Sequence, residues 1–118
     1  MKHNKLKISK IVDELMNYFF SKGAFEMNID VKETPEYYRI CFKSRGAKLS
    51  REEVKRFDKL LRYGKREEME EYYWFLAGDS DVDTELSLVG MMTDETKVVY
   101  DEENGIEVIL YRYKEGVK

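Results

Sequence analysis

The chain has 118 residues, of which 42% are apolar and 14% aromatic, with a single proline. This suits one domain with one sizeable core and excludes a disordered chain. Its 21 basic residues against 24 acidic ones leave a formal charge of -3, which gives no overall pull toward nucleic acid or an anionic membrane.

A lone cysteine, Cys41, rules out an intramolecular disulfide framework and fits a reducing compartment, where a strand cysteine packs as a small apolar side chain. The longest apolar run, Leu15 to Phe20, is interrupted by Asn17 and is far shorter than the ~20 residues of a membrane span. It does not have the form of a signal peptide. The expected location is therefore the cytoplasm, with no membrane and no nucleic-acid partner.

In chain order, Ile8, Ile11, Val12, Leu15, Met16, Phe19 and Phe20 recur at helical spacing, and Gly23 ends this first helix. Phe25, Met27, Ile29 and Val31 then alternate with Glu26, Asn28, Asp30 and Lys32, predicting a strand with one buried and one wet face. Thr34-Pro35 breaks it, and Glu36 to Lys43 resumes the alternation, giving an antiparallel hairpin. Ser50 and Glu53 form a capping box that opens a second helix, with Val54, Phe57, Leu60 and Leu61 facing inward until Gly64.

The stretch from 65 to 77 reads as a further helix carrying a dense apolar cluster, Tyr72, Tyr73, Trp74, Phe75 and Leu76. Five large side chains in succession cannot all reach one core from a helix, so Tyr72, Tyr73, Trp74 and Phe75 are either buried on two sides or candidates for a protein partner or a homodimer surface. Asp79, Asp81 and Asp83 read as a polar loop before a short helix from Leu86 to Met92. They do not make a calcium loop, because Thr84 and Gly90 stand where glycine and glutamate belong. Lys97 to Tyr100 and Ile106 to Tyr113 form a closing hairpin, its turn marked by Asn104-Gly105. The only histidine, His3, has no ligand or triad partner at useful spacing, and Lys2, Lys5, Lys7 and Lys10 suit the solvent side of the first helix. No metal site is expected.

This order of elements, with the stretches Glu14 to Asn17, Ser21 to Ala24, Ile40 to Glu53 and Leu86 to Glu95, resembles the histidine-kinase-like ATPase superfamily, closest in layout to its anti-sigma-factor kinases. The resemblance implies a general-base glutamate at Glu14 and a magnesium-binding asparagine at the position held here by Tyr18. It places the adenine-reading aspartate at Ser44 and the two glycines of that turn at Gly46 and Lys48. The phosphate-cradling Gly-Leu-Gly stretch falls on Asp83-Thr84-Glu85, where Asp83 and Glu85 would repel a polyphosphate but favour the start of a helix.

The expectation is thus a single α+β domain spanning residues 1 to 118, a histidine-kinase-like ATPase sandwich whose mixed or antiparallel sheet of about four strands carries helices on one face. Functionally it is a non-catalytic regulatory or protein-interaction domain with a degenerate nucleotide pocket, no cofactor, and no ATP binding. Two alternatives stand beside it: a divergent ATP-binding kinase or ATPase using Glu14 as base with Ser44 and Gly46 on adenine, and an α+β domain binding a small metabolite.

Overall fold

The computed structural model describes residues 4–63 and 82–114. They form helix α1 (Asn4–Ser21), strands β1 (Glu26–Glu33) and β2 (Tyr37–Arg45), helices α2 (Arg51–Tyr63) and α3 (Val82–Met91), and strands β3 (Glu95–Asp101) and β4 (Gly105–Tyr113). The four strands make one sheet in the order β1-β2-β4-β3, and every neighbouring pair is antiparallel. Tyr72, Tyr73, Trp74 and Phe75, and the helix expected around them, lie outside the described residues.

Local chemistry sets each boundary. Lys22 closes α1 and Gly23 takes φ +88°, so that Ala24 donates to the Phe19 carbonyl at 3.0 Å and Gly23 to that of Phe20 at 3.1 Å. Two orphan carbonyls are thereby satisfied, the arrangement of a glycine-terminated helix. The first hairpin turns on Thr34, whose Oγ1 accepts from the amides of Glu36 and Tyr37. At the start of α2 the expected reciprocal pair is present: Glu53 donates its N–H to Ser50 Oγ at 3.1 Å, and Ser50 donates its own to Glu53 Oε1 at 2.9 Å. Helix α3 begins at Val82, so Asp83 belongs to its first turn rather than to a polar loop.

The second hairpin differs in detail from an Asn-Gly turn. Only Gly105 has positive φ, at +87°, and the loop contains Glu102, Glu103 and Asn104. Asp101 holds it, accepting from the Glu103 amide at 2.8 Å and from Asn104 Nδ2 at 3.0 Å. These two hydrogen bonds, the first foremost, lower the Asp101 carboxyl below its ordinary value.

Register fixes the two faces of the sheet, since directly opposed residues point the same way. Phe42 sits opposite Ile29 and Val108, and Ile40 opposite Val31 and Leu110, which defines the face under the helices. That face and the inner sides of the helices share the buried cluster of Ile11, Leu15, Phe19, Phe42, Phe57, Val89 and Val108. The opposite face carries cross-strand pairs of opposite charge, Glu26 with Arg45, Asp30 with Arg39, and Glu107 with Lys43.

One sequence expectation fails here. The apolar alternation of the first strand does not mark a buried face: Phe25 is 79% exposed, Val31 48% and Ile29 37%, and only Met27 packs against the core. The strand is an edge strand, and α1 takes its position over β2 instead. Alternation reports that a strand has two chemically different faces but not whether anything covers the apolar one.

Gly105 and Gly23 together allow a test of backbone close approach. Alanine at either position incurs about 1–3 kcal/mol for a non-glycine residue at positive φ. At Gly105 the added Cβ would also lie 2.1 Å from the Ser44 carbonyl oxygen, whereas at Gly23 its nearest neighbour is 4.0 Å away. Urea unfolding of Gly105→Ala should therefore show a clearly larger loss of stability than Gly23→Ala, and equal losses would refute the contact with β2.

Candidate functional site

Of the residues that the family resemblance singles out, Glu14, Tyr18, Ser44, Gly46 and Lys48 do not all border one of the two hollows described below. Glu14 is 6% exposed on α1 and forms an ion pair with Lys10, one turn earlier, at 3.0 Å. Tyr18 is equally buried, its ring stacked on Phe57 of α2 at 5.0 Å and set edge-on to Phe19 at 5.1 Å. Ser44 lies on the helix-covered face of β2 between Met27 and Ile106, with a buried Oγ that has no hydrogen-bond partner.

Gly46 has φ +88°, and the Phe25 ring lies so close above it that a Cβ would come within 2.2 Å of a ring carbon. Lys48 points into solvent, while its amide donates to the Lys22 carbonyl at 3.0 Å and ties the loop before α2 to the end of α1. Asp83 and Glu85 fall in the first turns of α3.

Two hollows remain. The larger, about 590 Å³, opens at one end of the sheet and includes Phe25, Arg45, Gly46, Lys48, Glu102 and Glu103 in its lining. Both signs of charge face it, so it has no net preference for an anion. The smaller, about 190 Å³, lies between α1 and α2 and is lined by Tyr18, Lys22, Glu53, Arg56 and Phe57 among others. Tyr18 thus borders one hollow and Gly46 and Lys48 the other, while Glu14 and Ser44 line neither. Among the described residues, no three His, Cys, Asp or Glu side chains converge as metal ligands.

The thiol of Cys41 points to the open face of the sheet, buried, 3.4 Å from Glu107 Oε2. Burial first, then the Glu107 carboxylate, pushes its pKa up, so at neutral pH it remains a protonated thiol.

Sequence reasoning missed two features. The first is Arg112, buried at the end of β4, which donates to Asn4 Oδ1 at 3.0 Å and to the Met92 carbonyl at 2.8 Å, joining the start of α1 to the end of α3. No local pattern signals a contact between residues 108 positions apart. The second is the apolar surface along β1, where Ile29 and Val31 border a strand edge that no other described strand pairs with, and Phe25 stands exposed just before it. On α1, Val12, Met16 and Phe20 follow at four-residue spacing along the flank turned away from α2, and Phe20 is 59% exposed. Because α2 packs toward β3 at the far edge, this flank is the one on the β1 side.

Among the described residues no helix is long and apolar enough to cross a membrane. In comparison with known proteins, no family model matches this chain and no curated protein matches it significantly.

The smaller hollow supplies a pH test. Lys22 Nζ lies 2.6 Å from Glu53 Oε2, and this contact, aided by the Ser50 amide, lowers the Glu53 pKa from 4.5 to about 2. A carboxyl depressed in the folded state adds stability that is complete above 4.5 and is lost as pH falls toward 2. An NMR titration should place the Glu53 midpoint near 2, and Lys22→Met should raise it while flattening the acid loss of stability in that window. A midpoint that ignores the Lys22 substitution would refute the pairing.

Proposed function

We propose that this chain is a non-enzymatic protein-interaction domain on a histidine-kinase-like ATPase scaffold whose nucleotide pocket is degenerate. The observation that carries the reading is the exposed apolar edge: Ile29 and Val31 on β1, with Phe25 and Phe20 exposed as well, next to a row of backbone groups that no other described strand pairs with. Large exposed apolar residues grouped in this way mark association surfaces, and an open strand edge adds main-chain hydrogen bonds to their burial.

The interior supports the non-catalytic half of the reading. Tyr18 is committed to the ring stack with Phe57, and Glu14 is held by Lys10. A polar group already engaged in capping or pairing must break that contact before it can serve a substrate.

Thermal unfolding with and without millimolar magnesium-ATP tests the first half. Ligand at 100 times its Kd adds ~2.7 kcal/mol of stability, which for a domain of this size raises the midpoint by roughly ten degrees or more. No shift is expected, and a clear shift would overturn the reading. For the second half, a photo-crosslinking side chain placed at Val31 should give discrete protein adducts, whereas the same group at Glu52, exposed on α2, should give none.

A further inference from the structure

We propose that the occupant of the β1 edge is β1 of a second copy of this chain, paired antiparallel about a two-fold axis through Ile29. The two four-stranded sheets then become one sheet of eight strands. The proposal deepens the interaction reading above and rests on it.

The backbone geometry comes first. Thr34 donates to the Tyr37 carbonyl at 2.8 Å at the turn end of the β1–β2 ladder. Bonded and non-bonded pairs alternate along an antiparallel ladder, so Lys32, Asp30 and Asn28 direct their main-chain groups to β2. The N–H and C=O of Met27, Ile29, Val31 and Glu33 consequently point to the free edge. These belong to the residues whose side chains lie on the helix side of the sheet.

Symmetry then restricts the register. A two-fold axis perpendicular to the sheet keeps both helical layers on one side, and opposed residues must share a face, so the axis passes through a single residue. Centring it on Asn28 sets Glu26 against Asp30 of the second copy, and centring it on Asp30 sets that aspartate against itself. An axis through Val31 places Ile29 against Glu33. An axis through Met27 would pair only Glu26 to Asn28 within the strand, whereas the axis through Ile29 pairs seven residues without a like-charge contact: Glu26 with Lys32, Met27 with Val31, Asn28 with Asp30, and Ile29 with itself, leaving Phe25 and Glu33 to meet at the two ends.

Charge within the protomer supports the same choice. On its own sheet Lys32 sits opposite Arg39, a like charge, and among the described residues no carboxylate pairs with it. The second copy supplies Glu26 at that position, which is itself 3.7 Å from Arg45. The resulting row across the joined sheets runs Arg39, Lys32, Glu26, Arg45 and brings the unpaired lysine a partner. On the helix side the join covers Ile29 and Val31 and brings the α1 flanks bearing Met16 and Phe20 toward each other.

Sedimentation velocity of the full chain over a concentration series tests the pairing, with circular dichroism confirming that each variant is folded. The wild type should shift from monomer to dimer. Ile29→Lys, which sets two ammonium groups together at the axis, should abolish the dimer. Glu26→Lys and Lys32→Glu should each weaken it about tenfold, because each creates two like-charge contacts per dimer, and the double variant E26K/K32E should recover it. A wild type that stays monomeric at every concentration overturns the pairing, as does a dimer indifferent to Ile29→Lys, and a double variant no stronger than the singles overturns the register. A monomer whose melting ignores magnesium-ATP would discard the pairing alone, whereas an ATP-dependent melt would discard the interaction reading whatever the oligomeric state.

Discussion

The seating of the helices depends on one cluster of four rings. Phe42 is the only member that comes from the sheet. Phe19 of α1 stacks on it at 5.2 Å, and Phe57 of α2 packs against Phe19 at 5.4 Å and Tyr18 at 5.0 Å. Aromatic pairs of this kind contribute roughly 0.5–1.5 kcal/mol each beyond the area they bury. Against a net stability of about 5–15 kcal/mol for a typical domain, the cluster is large enough to decide where the helices lie. Because α1 seats on Phe42 of β2 and α2, joined to α1 through Phe57, packs toward β3, the layer extends from β2 toward β3 and leaves Ile29 and Val31 of β1 exposed.

The same cluster decides the fate of the inner hollow. Tyr18 occupies the position at which the family resemblance requires a metal-binding amide, and its ring contacts Phe57 and Phe19, themselves buried to about 1% exposure or less. Ring packing fills this position. Ser44 follows the same pattern. A buried hydroxyl without a partner costs about 1–3 kcal/mol, and flanked by Met27 and Ile106 it has apolar neighbours in place of polar ones.

Much of the fold was legible because short-range chemistry determines it. The Ser50–Glu53 box, the Gly23 terminus and the turn at Gly105 each depend on residues a few positions apart, and each was readable from identity and spacing. The strands were readable from their period. Strand order was not, and with it went the burial of β1, since a period of two is the same in an edge strand and a central one. Arg112 was illegible for a related reason: its partners on Asn4 and Met92 are neighbours only after the sheet and helices have assembled. Of the candidate site, the residue substitutions at Tyr18 and Ser44 could be named from sequence, but not that Tyr18 joins a ring stack bordering the smaller hollow while Ser44 lies between Met27 and Ile106 and lines neither hollow.

The two sheet edges show how the helical layer creates a surface without any motif. At β3 the helix side is approached by α2, and the exposed apolar residue Val99 stands on the open face, with Lys97 and Asp101 beside it on the strand and Glu107 opposite. Charges on either side of a lone apolar residue discourage another strand from pairing there. At β1 the charges of Glu26, Asp30 and Lys32 stand on the open face, while Ile29 and Val31 lie on the helix side, followed there by Glu33 at the strand end, and no described strand pairs with their outer backbone groups. The charges of the open face do not shield the apolar row, because they project from the other side of the strand. An edge blunted on one face only selects for a partner that presents apolar side chains on the helix side and complementary charges on the other, both in a fixed register. Specificity at such an edge arises from the offset of the helices, which in turn follows from the position of Phe42.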